Sequence, residues 1–141
     1  MFSAKHRSKK SEIGTAGEDM ACRFLKDEGY TLILQNYRKP FGEIDVIAKA
    51  PNGALIFVEV KTMTVHSLTS TIETITPEDQ MTISKLKKLR RICALFSAKH
   101  PELIEEKNGW QIDLICVSCS PEKLLTNNYK NCFIKHYKNI G

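Results

Sequence analysis

One short turn limits what this chain can become. Pro51-Asn52-Gly53 separates two stretches, 43–49 and 54–61, in which apolar residues recur at every second position, and three residues suffice only for a tight hairpin. Proline suits the first corner of a type I turn and glycine the left-handed position after it, so the loop also sets which residues face each other. With Ala50 opposite Ala54, Ala48 falls opposite Ile56, Val46 opposite Val58 and Ile44 opposite Val60, which makes one face of the hairpin wholly apolar. On the other face Ile47 meets Phe57, Asp45 meets Glu59 and Glu43 meets Lys61. Three carboxylates and one ammonium thus crowd one end of a short hairpin, although like charges in direct opposition are destabilising.

The rest of the chain offers elements to pack against this hairpin. Over 12–28, Ile13, Met20, Ala21, Phe24 and Leu25 recur at helical spacing, and Gly29 ends the helix. A strand over 31–37, centred on Leu32, Ile33 and Leu34, runs up to a break at Pro40 and Gly42. Thr76-Pro77-Glu78-Asp79 reads as a helix start, with Thr as cap and Pro at the first helical position. The long helix that follows, to about residue 99, buries Met81, Leu86, Leu89, Ile92, Cys93 and Phe96, while Lys87, Lys88, Arg90 and Arg91 form a solvated side able to contact DNA. A buried strand over 111–118 has Asp113 as its one charged residue, and 133–137 reads as a closing strand. Helices interleaved with strands indicate an α/β fold. A chain of 141 residues, 42% hydrophobic and without a long apolar run, fits one domain over 12–141 behind a flexible basic arm over 1–11.

That arm holds Lys5, Arg7, Lys9 and Lys10 with only Phe2 among them, which is no core for a secretory signal; the expectation is a cytoplasmic protein with no membrane partner. Five cysteines are an odd count in a domain large enough to dispense with staples, so packed thiols and a reducing compartment are expected. Cys116, Cys119, Cys132 and His136 can also be drawn as a zinc site, yet residues three apart on a strand point to opposite faces. The net charge of +5 leans toward a polyanionic partner, because lysine and arginine release the counterions condensed on phosphate.

A facing Asp45 and Glu59 make sense around a hard divalent cation, which takes oxygen ligands and commonly uses one or two carboxylates with water and substrate phosphate. The bland alternative is an exposed face with a Glu43–Lys61 ion pair and a tolerated Asp–Glu contact. Asp45 followed by Glu59-Val60-Lys61 at the end of a hairpin resembles the PD-(D/E)xK nuclease motif. Together with Gly17-Glu18, Gly29-Tyr30, Asn36-Tyr37-Arg38, Gly42-Glu43-Ile44-Asp45 and Phe57-Val58-Glu59-Val60-Lys61, it resembles the bacterial YraN-like family, whose members are inferred to be endonucleases. The likeness is strong from Gly14 to Lys61 and weaker to Lys135; Met63 stands where the family usually has Arg, and Asp79 where it has Lys.

The resemblance implies a restriction-endonuclease-like fold, a central mixed β-sheet flanked by helices, similar to archaeal Holliday-junction resolvases. It implies a Mg²⁺- or Mn²⁺-dependent endonuclease that hydrolyses phosphodiester bonds in DNA, with branched or junction DNA among the candidate substrates. In that reading Asp45, Glu59, Lys61 and Glu18 are catalytic, Asp45, Glu59 and the Val60 carbonyl bind the metal, and Glu43 supports them. A homodimer would serve to cut two strands, and the sequence leaves that open. His66 stays outside the site as a surface residue, and Asp113 has a structural role, accepting hydrogen bonds in an apolar run. Two alternatives from other classes are a nucleic-acid-binding protein that keeps the fold without turnover, and a zinc-stabilised interaction module.

Overall fold

The computed structural model describes residues 9–64, 79 and 81–141. Helix α1 (Lys9–Asp27) begins three residues before the sequence pattern placed it, so of the basic arm only 1–8 lie outside the described residues. Its end follows from Gly29: at φ +91° this residue lets the Gly29 N–H reach Lys26 O at 3.0 Å and the Tyr30 N–H reach Leu25 O at 2.9 Å, closing the last turn. The chain then enters β1 (Thr31–Lys39), β2 (Gly42–Lys49) and β3 (Leu55–Thr64).

The central hairpin forms as its turn requires. Gly53 has φ +92°, its N–H donates to Ala50 O at 2.9 Å, and the Ala50 N–H donates to Ala54 O at 2.9 Å. The register runs Lys49↔Leu55, Ala48↔Ile56, Ile47↔Phe57 and Val46↔Val58. Helix α2 (Ile83–Lys99) leads to β4 (Trp110–Cys119), a one-turn helix α3 (Pro121–Leu124) and β5 (Phe133–Tyr137). The five strands lie in the order β1-β2-β3-β4-β5, with β3 and β4 parallel and the other neighbours antiparallel. A mixed sheet flanked by helices is the restriction-endonuclease-like arrangement that the motifs implied.

Each sheet face has its own helix. Met20, Ala21 and Leu25 of α1 pack with Val46, Ala48, Ile56, Val58 and Ile115, whereas Leu89, Ile92 and Phe96 of α2 pack with Ile47, Phe57 and Ile112. Phe96 is the pivot of the second face, edge-on to Tyr37 at 5.0 Å and to Phe57 at 5.7 Å. Ile44 departs from the expected alternation and joins the α2 side; it lies beyond the last β2–β3 pair while still pairing with Tyr37 of β1. Helix α2 also departs: Met81 and Thr82 are not helical, and Thr82 Oγ1 caps the helix by accepting from the Lys85 N–H at 3.1 Å. Thr76, Pro77 and Glu78, read as the helix start, lie outside the described residues.

Helix α1 sits on β3 at a distance only glycine allows, since a Cβ on Gly17 would lie 1.8 Å from Thr62 Oγ1. Gly17→Ala must push the helix away or force the β-branched Thr62 aside, at about 1–3 kcal/mol. Thermal unfolding should register this as a drop of roughly 4–10 °C. An unchanged midpoint would mean that the helix seat is looser than this contact requires.

Candidate active site

The β2–β3 ladder stops at Val46↔Val58, one pair short of Asp45 and Glu59. Beyond it, Asp45 Oδ2 accepts a hydrogen bond from the Val60 N–H at 2.8 Å, so a side chain links the strands where backbone pairing has ended. A cleft of about 380 Å³ occupies this fork. Glu18 reaches it from α1, Glu43 and Asp45 from β2, Glu59, Val60 and Lys61 from β3, and Lys85 and Lys88 from α2. All the site residues read from the sequence therefore line one cleft, and α2 adds two lysines. The sequence pattern marks Lys88 only as part of a solvated face and gives Lys85 no role. The missed signal is helical spacing, because Lys85 lies four and seven residues before Leu89 and Ile92, both buried and both lining the cleft.

Acid dominates the electrostatics. Asp45 is 8% exposed, and burial, followed by the Glu59 carboxylate beside it, pushes its pKa up to about 8 against the pull of the Val60 N–H. Burial also raises Glu59, with Lys85 pulling the other way, and burial with the Glu43 charge raises Glu18. Three acids held above their ordinary values within one cleft mark a place short of positive charge, which a bound cation would supply.

The donors fit a hard divalent ion because they are all oxygens. Among the described residues no three His, Cys, Asp or Glu side chains are gathered closely enough to hold a metal unaided. An ion here would therefore draw on Asp45, Glu59, the Val60 carbonyl and water, in the way Mg²⁺ keeps part of its hydration shell.

Two expected pairings are replaced. Glu43 does not oppose Lys61, since the ladder has ended; it meets Arg38 instead, with Nε 3.5 Å from Oε1. Glu59 has Lys85 as its partner, Nζ to Oε2 at 3.4 Å. A larger groove of about 730 Å³ runs between α1 and residues 127–130, but both of its acids are engaged, Asp27 by the Tyr129 hydroxyl and Asp19 by Gln35.

The cysteines overturn two expectations. Cys119 and Cys132 form a disulfide, which follows from the β4–β5 register: Ser118 faces Phe133, so the next pair outward is Cys119 and Cys132. This pairing removes the cysteine argument for a reducing compartment and takes two ligands from the zinc reading. His136 is taken as well, its Nε2 lying 2.7 Å from Asp113 Oδ2, while Cys22, Cys93 and Cys116 are buried thiols. Asp113 keeps its structural role: fully buried, it also accepts from Gln111 Nε2 and from the Asn139 N–H, each at 2.9 Å. His66 lies outside the described residues, and among those described no helix is long and apolar enough to cross a membrane.

Comparison with known proteins agrees with the sequence motifs. The model of Uncharacterised protein family UPF0102 matches residues 17–117. A UPF0102 protein of Desulfosudis oleivorans is 45% identical over 78 residues, covering 55% of this chain and 63% of the relative. One from Mycobacterium sp. (strain JLS) is 36% identical over 94 residues, covering 66% and 65% respectively. The match thus spans just under two thirds of the length of these two relatives. A UPF0102 protein of Desulforamulus reducens aligns over 130 residues at 30% identity, covering 92% of this chain and 95% of its own.

Proposed function

Since the chain belongs to Uncharacterised protein family UPF0102, the family of its YraN-like motifs, we propose that its cleft is the centre of a Mg²⁺- or Mn²⁺-dependent endonuclease acting on DNA. The observation that carries this reading is the meeting of Asp45, Glu59, Glu18 and Lys61 in one cleft whose acids resist ionisation. When bound, the cation would polarise a phosphoryl oxygen and make a nearby water more acidic. Asp45 and Glu59 would hold it, with the Val60 carbonyl as a third oxygen. The Val60 N–H already fixes the Asp45 carboxylate through Oδ2, which leaves Oδ1 to serve as a ligand.

Lys61 is exposed at the rim, where its ammonium can orient the attacking water or offset charge growing on the phosphoryl group. Glu18, reaching in from the opposite face of the sheet, would accept a hydrogen bond from water at the mouth of the cleft. Glu43 supports the site by anchoring the β1–β2 turn through Arg38. Lys88 would meet the phosphate backbone, contributing affinity without sequence preference.

Incubating labelled duplex, branched and single-stranded DNA with the protein in Mg²⁺, Mn²⁺ or EDTA tests the reading. Cleavage that needs the cation and stops in EDTA is expected, with nicking of one strand per encounter if the protein acts as a monomer and paired cuts if it acts as a homodimer. Binding with no cleavage under any condition would replace this function with that of a nucleic-acid-binding protein without turnover.

A further inference from the structure

We propose that Lys85 is a further working residue of this cleft, holding the place of the divalent cation beside Glu59 and passing to a substrate phosphate once the cation is bound. The inference rests on reading the cleft as a nuclease centre. Its geometry is unequal in a telling way. The Glu59 side chain is 17% exposed and fixed within the cleft, while that of Lys85 is 46% exposed at its mouth, so the acid stays and the ammonium is free to turn. The contact at 3.4 Å joins the acid that a cation would need to a charge that the cation would repel.

The helix itself gains little from a lysine here. Lys85 lies in the first turn of α2, the positive end of the helix dipole, and that turn contains no acidic residue. What fixes its position is the cap, through the bond from its own N–H to Thr82 Oγ1, and the seating of Leu89 and Ile92 against the sheet. The side chain thereby reaches the cleft lining where Glu59 lies. An arriving cation competes with the ammonium for the same carboxylate, and the displaced ammonium, with three N–H donors, remains within a side chain's length of the space a phosphate would fill.

The test is calorimetric titration of Mn²⁺ into wild type, Lys85→Met, Lys85→Arg and Lys87→Met without nucleic acid, followed by binding of a hydrolysis-resistant phosphorothioate oligonucleotide in saturating Mn²⁺. Lys87 is on the same helix, exposed and outside the cleft lining, so its variant loses the same charge elsewhere. Lys85→Met should bind Mn²⁺ about three- to tenfold tighter than wild type, because a competing charge has gone. It should bind the oligonucleotide about tenfold more weakly, because a phosphate contact has gone. Lys85→Arg should stay close to wild type, and Lys87→Met should leave Mn²⁺ affinity unchanged. Wild type and Lys85→Met binding Mn²⁺ equally, or Lys85→Met binding it more weakly, would overturn the proposal and leave the nuclease reading standing. A wild type that binds no Mn²⁺ would overturn both.

Discussion

Asp45→Asn is expected to lower DNA cleavage by at least about a thousandfold while making the cation-free protein more stable at alkaline pH. Both effects come from one carboxylate. Asparagine keeps an oxygen that can accept the Val60 N–H, so the fork retains its shape, but the charge that would hold the cation has gone. Oligonucleotide affinity in EDTA should stay equal or rise, since repulsion of phosphate is relieved. Binding and cleavage would then separate, as they do when a metal ligand is lost and a binding surface is not.

The stability effect follows from the direction of the shift. The pKa of Asp45 rises from an ordinary 3.8 to about 8 in the fold, so between those values the native state retains a proton that the unfolded chain has released. Stability therefore declines as pH rises from about 4 to about 8 and levels off above. Asparagine has nothing to ionise, and the variant should lack this part of the slope. Burial, followed by the Glu59 charge, is what raises this carboxyl, so the variant should be clearly more stable than wild type at pH 9 and close to it at pH 5. Urea unfolding of both proteins in EDTA at pH 5, 7 and 9 measures it. A wild type indifferent to pH, or a variant less stable than wild type at pH 9, would count against a buried, repelled carboxylate.

Asp113→Leu should be the most damaging single change to the fold. Three donors converge on this fully buried carboxylate: His136 from β5, Gln111 from β4 and the backbone of Asn139 from the C-terminal segment. Removing the acceptor leaves the nearly buried His136 ring without its hydrogen-bond partner and frees the Asn139 N–H, at about 3–5 kcal/mol. Thermal unfolding should drop by roughly 10–20 °C. The double change Asp113→Leu with His136→Leu should cost less than the two single changes summed, because the orphaned partner is gone as well. Strict additivity would mean that the pair does not act as a unit.

Local chemistry was the legible part of this fold. Pro51-Asn52-Gly53 specifies a turn and the turn a register that holds as far as Val46↔Val58; Asp45 and Glu59, the next residues along, share the cleft without pairing in the ladder. Helix α1 and its glycine stop were readable for the same reason. Tertiary features were not. A turn does not say where the ladder it starts will end: pairing stops at Val46↔Val58, Ile44 packs on the α2 side, and Glu43 meets Arg38 in place of Lys61. The Cys119–Cys132 bond needs the register of strands joined through α3, with no short turn to set it. Thr76-Pro77 and Thr82 are both competent caps in the sequence, and it is Thr82 that begins the helix packed on the sheet.

In the proposed function, Asp45 and Glu59 together hold a divalent cation. Calorimetric titration of Mn²⁺ into wild type, Asp45→Asn, Glu59→Gln and Lys61→Ala tests it most directly. Wild type and Lys61→Ala should bind with similar affinity, Lys61→Ala without cleaving DNA, and the two carboxylate variants should bind at least about tenfold more weakly. Asp45→Asn and Glu59→Gln binding Mn²⁺ as wild type does would contradict the account.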